Sequence, residues 1–564
     1  MDHARFLSAL RRNTDKAVEK PVTKKSYQNT LQESSVTPSN EPPRIAIIGA
    51  GSRGNAYARP IASSKLAHIV AVAEPDDFKR RSFGEHYIWG LRNSDAPQEG
   101  EAFATWEDLI TFEKARRAKG GSGKANGTER WLDAVIVCVL DEMHHAVVTA
   151  LAESGLGLHI ICEKPLATNL QDTLDIYASL VKSWDNLGKE TLFGIGHVLR
   201  YTPHNLLLRK LVREENIIGE VLNVELTEPV GYFHFAHSYV RGNWRNSATS
   251  APSLLTKSCH DIDFLLWLLS SPTSAEDSGP HLPSKISSAG DLSYYRKSRK
   301  PAEAGDVTNC FSCPIEADCV YSAKKIYVDR LKRGRMGWPV KIVVPDIEDV
   351  FRSQGMEAAV SKLTDVLKED YDKTISTKEV EKRNWYGRCV WECDNNVCDD
   401  QTVVIRWDDE IKNDEIVEGR GKKSAILHMT ASTQSVCQRR GRIYGTLGEI
   451  SFDSNTILVH NFRDGSTTQY NPKHEGGGHG GGDAGLATNF VNAVIAVKRG
   501  DMDVLEAQHR WIGADLDEEV RSHCAVWLAE DARNRDEIIR WSNWWDKEVT
   551  ERLGKLGLKK TTFR

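Results

Sequence analysis

The sequence lacks any apolar run approaching the roughly 20 residues that a membrane-spanning helix needs. Its first residues, 1–20, also lack the continuous apolar core of a secretory signal. Neither sign of charge dominates, since 74 Lys and Arg face 79 Asp and Glu, so the composition favours neither nucleic acid nor an anionic membrane as a partner. Eleven cysteines, odd in number and scattered, do not suit a disulfide framework. We therefore expect a cytoplasmic protein without these partners.

What the sequence does contain predicts at least two folded domains after a polar beginning. A length of 564 residues exceeds one typical domain, and 40% hydrophobic residues can fill sizeable cores. Residues 1–43 are rich in Ser, Thr, Lys and Glu and end in Pro42-Pro43. Such a segment buries too little apolar surface to offset its ordering entropy, so we predict a disordered tail.

Apolar strands alternating with helices follow from Arg44 onward. A strand from Arg44 is succeeded by predicted strands at His68–Pro75, Asp133–Leu140 and His159–Pro165. Continuous apolar strands of this kind are typical of a parallel sheet covered on both faces. We therefore predict an α/β domain of the Rossmann type over residues 44–197, with a polar surface insertion at Lys114–Arg130.

After about residue 200, segments of alternating hydrophobicity predict the strands of a large open sheet. We assign residues 198–564 to a C-terminal substrate-binding α/β domain with that sheet. Two stretches, Ser271–Lys300 and Asp346–Arg383, are predicted to be insertions. The last 60 residues have apolar positions three or four apart, which predicts helices.

A G-x-G-x-x-G motif directly follows the first strand and opens a helix, which makes it a strong signal for a dinucleotide site. Its first glycine permits a tight turn, its second lets the backbone approach a pyrophosphate, and its third allows close contact between helix and strand. The helix N-terminus then offers N–H groups to the phosphates. The cofactor-binding residues predicted here are Gly49, Gly51, Ser52, Arg53 and Gly54.

Glu74 ends the second strand, 20 residues after the motif. A carboxylate there accepts hydrogen bonds from the adenosine ribose hydroxyls and repels a 2′-phosphate, so NAD is predicted over NADP. Lys79, Arg80 and Arg81 follow closely and could reverse that preference, which leaves NADP open as an alternative.

The motif Glu163-Lys164-Pro165 at the end of the fourth strand resembles that of the Gfo/Idh/MocA oxidoreductases, which include glucose-fructose oxidoreductase and inositol dehydrogenase. Other segments agree in order: the strand and helix around His144, the segment with Arg200, and residues 445–453 and 476–494. The resemblance covers about residues 44–545 apart from the insertions. It implies a Rossmann domain followed by an α/β domain with a large, mostly antiparallel sheet facing the nicotinamide.

The resemblance also implies chemistry, mostly hydride transfer at an alcohol carbon of a sugar, an inositol or a related compound. Lys164 inherits the place beside the reacting carbon, where an ammonium can hydrogen-bond the substrate hydroxyl and exchange a proton. It further places four residues in the cofactor site: His144, Glu163, Lys164 and Arg200.

One departure from the family pattern concerns the catalytic histidine. Many relatives carry D-x-x-x-H, but here Thr256 occupies the position of the Asp, with Lys257 after it and His260 at the histidine. Either His260 works with Lys257, which would share a helix face with it, or Lys164 carries the acid–base step alone. A third interpretation leaves His260 as a helix cap without a chemical role.

Histidines, arginines and aromatics are dense after Glu228 and suit a pocket for a polyhydroxylated or anionic ligand. A structural role in an irregular loop is the alternative. The resemblance also places a glycine-rich turn near the active site. The predicted substrate-binding residues are His234, His237, Arg241, Trp244, Arg245, His479 and Asp483.

Cys310, Cys313 and Cys319 have a spacing that leaves structural zinc open, with a fourth ligand from Cys389, Cys393 or Cys398. We predict reduced cysteines of an irregular loop and no metal, and do not expect an iron–sulfur centre.

The sequence therefore predicts an NAD(P)-dependent oxidoreductase acting on a sugar, a polyol or a sugar derivative. An NAD-dependent glycosidase that works through transient oxidation, and a non-catalytic NAD-binding regulator, remain alternatives. The expected partner is a small sugar-like molecule, and a homo-oligomer formed through the C-terminal sheet is left open.

Overall fold

A parallel sheet of six strands forms the N-terminal part of the fold in the computed structural model, as the sequence predicts. The structure describes residues 23–25, 41–92, 94–119, 132–272, 279–369, 376–473 and 478–558. After an upstream strand β1 (Thr23–Lys25), the sheet consists of β2 (Arg44–Ile48), β3 (His68–Ala73), β4 (Ala102–Phe103), β5 (Ala134–Val137), β6 (His159–Cys162) and β7 (Phe193–Ile195). Their order is β4-β3-β2-β5-β6-β7, and every neighbouring pair is parallel.

The helices between these strands cover both faces of the sheet. They are α1 (Ser52–Ser64), α2 (Asp77–Tyr87), α3 (Trp106–Lys119), α4 (His144–Glu153) and α5 (Leu170–Leu187). Local sequence sets their ends: the Asn169 side chain accepts a hydrogen bond from the backbone N–H of Asp172 at the start of α5, and Gly188 ends it with a left-handed φ of 63°. Most of the predicted insertion Lys114–Arg130 lies outside the described residues, and its first six belong to α3.

Three strands end earlier than predicted, at Ala73, Val137 and Cys162. Glu74 and Glu163 directly follow two of these strands and belong to loops rather than to the buried ladder. Since carboxyl ends of parallel strands lie at one edge, these loops come together above the sheet.

A second sheet of ten strands is mostly antiparallel, which confirms the predicted fold class. In addition to β1 it contains β8 (Val221–Pro229), β9 (Lys285–Asp291), β10 (Asp400–Trp407), β13 (Lys423–Thr430), β14 (Arg440–Gly445), β15 (Gly448–Phe452), β16 (Ile457–Asn461), β17 (Thr467–Tyr470) and β18 (Ile539–Arg540). Between β10 and β13, the strands β11 (Ile411–Lys412) and β12 (Glu415–Ile416) form a separate two-stranded sheet. The order is β1-β17-β16-β15-β14-β8-β13-β10-β9-β18, with β1–β17 and β8–β13 as the parallel pairs.

Two expectations are corrected by this sheet. Thr23–Lys25, in the segment predicted to be disordered, pairs with Thr468–Tyr470 at the sheet edge, so the prediction is wrong for these three residues. Most of the remaining tail lies outside the described residues. Lys285–Asp291, inside the predicted insertion Ser271–Lys300, is an integral strand between β10 and β18. Its sequence KISSAGD alternates too weakly in hydrophobicity to be recognised as a strand.

Helices of the C-terminal part cover the sheet and build the long connection between β9 and β10. They are α6 (Pro203–Arg209), α7 (Tyr232–Phe235), α8 (Ser253–Thr256), α9 (Cys259–Leu269), α10 (Asp329–Lys332), α11 (Val340–Val343), α12 (Ile347–Leu367), α13 (Thr377–Lys382), α14 (Gly482–Arg499), α15 (Val504–Ala507), α16 (Leu516–Arg535), α17 (Trp541–Trp544) and α18 (Glu551–Lys555). The predicted insertion Asp346–Arg383 contributes α12 and α13, and the helical end of the chain is confirmed. None of the described helices is long and apolar enough to cross a membrane.

Buried apolar residues form three clusters, one of which joins the two sheets. This shared cluster contains Val135 and Ile160 of the parallel sheet together with Val403 and Leu427 of the second. Another lies on the opposite face of the parallel sheet, where Phe490 of α14 packs. The third belongs to the connection between β9 and β10, which packs around the segment 230–240.

Arg200 also ties the two parts together, at a fully buried position. Its guanidinium forms two hydrogen bonds with the Asp263 carboxylate, at 2.6 and 2.8 Å, and another with Glu518 at 2.5 Å. Only 2% of its side chain is exposed. The two carboxylates engage the side chain of Arg200, so the structure supports a packing role for it rather than the predicted contact with cofactor.

We expect Arg200→Ala to lower the free energy of unfolding by about 3–5 kcal/mol, because it leaves the Asp263 carboxylate buried without its cation. Urea denaturation measures this loss. Arg81→Ala removes a largely exposed arginine and serves as the control, with a change within about 0.5 kcal/mol. Equal stabilities of the two variants would contradict the packing role of Arg200.

Candidate active site

The glycine motif has the backbone geometry that a dinucleotide requires. Gly49 has a φ of 96°, and a side chain there would meet the carbonyl of Cys138. A Cβ at Gly54 would lie 2.1 Å from the Gly49 oxygen, whereas one at Gly51 would meet nothing within 4 Å. No side chain caps α1, so the open space at Gly51 faces free N–H groups at a helix N-terminus. These features fit a pyrophosphate.

Glu74 is held at the edge of this loop. Its carboxylate accepts hydrogen bonds from the backbone N–H groups of Ala50, at 2.8 Å, and Asp76, at 3.1 Å. Two further bonds of a carboxylate remain for the hydroxyls of a ribose. The basic residues that could have favoured NADP face acids instead: Arg80 and Arg81 lie 2.8 and 3.9 Å from Asp77. The arrangement therefore fits NAD.

Arg53 connects the glycine loop to both of the other parts of the site. Its guanidinium lies 2.7 Å from Glu163 of the E-K-P motif and 2.8 Å from Asp483 of α14. The Tyr57 hydroxyl also donates to Glu163, at 2.5 Å. Although burial opposes it, the charge of Arg53 with this hydrogen bond lowers the pKa of Glu163. Both acids are thus held as carboxylates around one cation.

Lys164 projects from the same motif towards the C-terminal domain. Its ammonium donates a hydrogen bond of 2.7 Å to the backbone carbonyl of Thr256 and lies 5.1 Å from the centre of the Trp244 ring. Thr256 occupies the place of the family Asp, so the support comes from its main chain instead of a carboxylate. Among the described residues, Lys164 has no carboxylate within ion-pair distance.

Two histidines hold the backbone that follows Lys164. His144 hydrogen-bonds through Nδ1 to the carbonyl of Pro165 at 2.7 Å, and the backbone N–H of Leu166 donates to Nε2 of His523 at 2.9 Å. The sequence predicted His144 but not His523, which lies more than 350 residues away on α16 without a local motif. Both orient the E-K-P turn.

His260 is buried near Lys164 and has an unpaired ring nitrogen. Its exposed fraction is 4%, and its Nδ1 atom has no hydrogen-bond partner among the described residues. Burial first, and then the charge of Lys164, lower the pKa of His260 well below its ordinary value. The ring is therefore neutral at working pH and can accept a proton.

The predicted pair of Lys257 and His260 is not formed. The two residues do not share a helix, since α8 ends at Thr256 and α9 begins at Cys259. The Lys257 ammonium instead lies 3.0 Å from Glu228 and 2.9 Å from the Cys437 sulfur. This pairing is corrected: the cation beside His260 is Lys164.

Glu228, which the sequence did not indicate as a site residue, is a buried acid between two cations. It lies 3.0 Å from Lys257 and 3.1 Å from Arg439, which also binds Asp261 at 2.5 Å. Although burial opposes it, the charges of Arg439 and Lys257 lower the pKa of Glu228. No local motif signals this cluster, because its members come from β8, the turn after α8 and the loop before β14.

The predicted substrate residues divide into two groups. His479 and Asp483 are hydrogen-bonded at 3.0 Å, and the His479 ring lies 6.0 Å from that of His260. Trp244 contacts Lys164 and donates a hydrogen bond to Asp141 at 2.7 Å. These residues lie at the candidate site, as does half-buried His234, 3.4 Å from Cys437.

The second group comes from the segment between β8 and β9 and is buried against the connection between β9 and β10. His237 bonds the hydroxyl of Tyr327 at 2.9 Å, Arg241 donates to the carbonyl of Arg388 at 2.6 Å, and Arg245 binds Asp394 at 2.6 Å. All three are less than 9% exposed. They anchor the connection, so the structural alternative left open by the sequence applies to them.

Comparisons with known proteins agree with this geometry. Residues 43–186 match the Gfo/Idh/MocA family model, described as "Oxidoreductase family, NAD-binding Rossmann fold". The N-terminal domain of this chain thus resembles the NAD-binding Rossmann domain of that family, and the match does not extend to the C-terminal part. The resemblance stated from the sequence is confirmed.

Individual relatives cover only part of the chain. Inositol 2-dehydrogenase 1 of Saccharopolyspora erythraea is 26% identical over 229 residues, which are 40% of this chain and 55% of that protein. Inositol 2-dehydrogenase 2 of Paenarthrobacter aurescens is 28% identical over 233 residues, or 41% and 57%. The chain thus spans little more than half the length of these relatives.

Solved structures resemble the fold over a longer stretch. An inositol dehydrogenase homologue from Azotobacter vinelandii, complexed with NAD⁺, has a TM-score of 0.55 at 14% identity, covering 89% of this chain and 98% of that one. A levoglucosan dehydrogenase complexed with NADH has a TM-score of 0.53 at 14% identity, covering 89% and 99%. At such identities the likeness concerns the fold.

We expect Gly51→Ala to fold like the parent and to bind NAD at least about tenfold more weakly, because its Cβ occupies only the space intended for the pyrophosphate. Gly54→Ala is the matched comparison and should lower the melting temperature, since its Cβ clashes with the Gly49 carbonyl. Thermal unfolding without NAD and titration with NAD separate the effects. Parental NAD affinity in Gly51→Ala would contradict the site.

Proposed function

We propose that the protein is an NAD-dependent oxidoreductase that transfers hydride between the nicotinamide and a hydroxyl-bearing carbon of a sugar, a polyol or a related compound. The proposal rests on the proximity of the Lys164 ammonium to the neutral His260 ring, beside the dinucleotide loop. The glycine loop and Glu74 would hold NAD, which would accept the hydride when bound. The names of the relatives, inositol and levoglucosan dehydrogenases, support a cyclic polyol or sugar as substrate.

Lys164 and His260 divide the proton chemistry between them. The Lys164 ammonium, oriented by the Thr256 carbonyl, can donate a hydrogen bond to the substrate oxygen and stabilise negative charge as it develops there. The His260 ring can accept the hydroxyl proton, because its low pKa leaves it neutral. A carboxylate partner would stabilise the protonated ring, so the missing Asp suits a base that starts neutral.

Trp244 and Asp141 form the side of the site next to Lys164. The Trp244 ring is half-buried and stacks on Tyr239, with centroids 5.4 Å apart, so it offers a rigid face to a sugar ring. Burial raises the pKa of Asp141. A raised pKa is the direction of shift that a carboxyl acting as a general acid requires, and this favours the NAD-dependent glycosidase as the second candidate function.

The proposal also includes the cellular compartment of the enzyme and its oligomeric state. All eleven cysteines are free, which supports a reducing compartment such as the cytoplasm. Leu222 and Ile426 on adjacent strands of the second sheet are 43% and 39% exposed, which supports association of copies through that sheet.

We expect Lys164→Met to lower kcat about 100-fold or more with little change in NAD affinity, because it removes a group needed only at the reacting carbon. The assay follows NADH formation with a panel that includes myo-inositol and levoglucosan. Lys182→Met, an exposed lysine of α5, is the control and should keep parental turnover.

The panel also separates the alternatives. Free sugar released from a glycoside without net NADH would favour the glycosidase, and NAD binding without either reaction would favour a regulator. Near-parental turnover of Lys164→Met would remove Lys164 from the mechanism.

A further inference from the structure

Four cysteines line a cavity inside the connection between β9 and β10. Cys310, Cys313 and Cys319 come from consecutive short turns, and Cys389 comes from a segment about 70 residues later. An isolated bridge between Asn309 and Arg388 brings the two segments together. The fold thus collects on one cavity thiols that the sequence keeps apart.

The cavity also contains a buried cation without an acidic partner. Arg241 is 1% exposed, and its guanidinium contacts the carbonyls of Arg388 and Tyr321 and, at 3.5 Å, the sulfur of Cys310. Its Nη1 atom has no hydrogen-bond partner, and no carboxylate lies within ion-pair distance of it among the described residues. A buried charge of this kind costs several kcal/mol unless negative charge accompanies it, and the ionisable groups that act on it are the Cys310 thiol first, then Tyr327 and the thiols of Cys393 and Cys389.

Burial and backbone hydrogen bonds act in opposite directions on the thiols of the cavity. Burial raises the pKa of Cys310 and Cys319, and raises that of Cys389 to about 11. Hydrogen bonds from the backbone of Ala323, Tyr321 and Trp391, respectively, act against this rise. Backbone donors aimed at sulfur are typical of thiolates that bind metal, because metal binding displaces the protons and leaves charged sulfur.

The sulfurs of the cavity are not close enough together to surround a single zinc ion. Four thiolates around one zinc ion would lie about 4 Å apart, given Zn–S bonds of about 2.3 Å. In the described part of the chain, no three cysteine sulfurs lie within 4.8 Å of one another. Thiolates around an iron–sulfur cluster lie farther apart than this, because the cluster's own iron and sulfide atoms occupy the space between them.

We propose that Cys310, Cys313, Cys319 and Cys389 bind a four-iron, four-sulfide cluster, with Arg241 as its counter-ion. The net negative charge of such a cluster with four thiolates matches the unpaired guanidinium. This reverses the expectation from the sequence, in which Cys389 was one of three candidates for a fourth zinc ligand and an iron–sulfur centre was not expected. The inference does not depend on the proposed enzymatic activity.

The cluster would stabilise one wall of the candidate active site. Arg241 ends the helical segment Ala236–Arg241, which directly follows α7 with His234. A cluster that holds Arg241 in the cavity would therefore also hold the segment Ala236–Arg241 and the helix α7 before it, which reaches the site. The cluster itself would lie inside the connection between β9 and β10.

The test expresses the full chain with added iron and cysteine, purifies it without oxygen, and measures iron, acid-labile sulfide and zinc per chain together with the visible absorption spectrum. We expect about four iron and four sulfide per chain and a broad visible absorption. Cys310→Ser and Cys389→Ser should lose both to background. Cys524→Ala, a buried cysteine of another core, is the control and should keep them.

Metal content of the parent protein decides the question even if a variant fails to fold. A parent without metal, or with one zinc and no sulfide, would overturn the proposal. Full retention of iron and sulfide in folded Cys310→Ser and Cys389→Ser would overturn it as well.

Discussion

The contact on which the candidate site depends is the ion-pair cluster of Arg53 with Glu163 and Asp483. Arg53 belongs to the cofactor loop, Glu163 to the motif that carries Lys164, and Asp483 to a helix of the C-terminal part. One guanidinium thus joins three segments, of which the first and the last are 430 residues apart in the chain. Because burial makes unpaired charges costly, each segment is held in place by the other two.

The sequence predicted well those features that local patterns encode. The apolar strands from Arg44, the glycine loop and Glu74 were found from periodicity and spacing, and Lys164 from a family motif. Contacts between distant segments could not be predicted from the sequence. Three such features depend on the tertiary fold: the position of His523 behind the E-K-P turn, that of Glu228 between two cations, and the acids that pair with Arg200. No local sequence pattern indicates them.

The errors have the same physical origin. Lys257 and His260 were placed on one helix because they are three residues apart, but the helix breaks between them and Glu228 draws the lysine away. Arg241 and Arg245 suit a ligand pocket by composition, yet they are buried against carbonyls and an acid of the long connection. Residue type alone does not tell which face of a segment is the inner one.

The most direct test of this account is a double-mutant cycle on NAD affinity with Arg53→Met, Asp483→Asn and the double variant. If the ion-pair cluster positions the cofactor loop, each single variant weakens NAD binding, and Asp483→Asn adds little once Arg53 is gone. The predicted coupling energy is about 1 kcal/mol or more. Fully additive losses, or NAD affinities unchanged from the parent, would contradict the account.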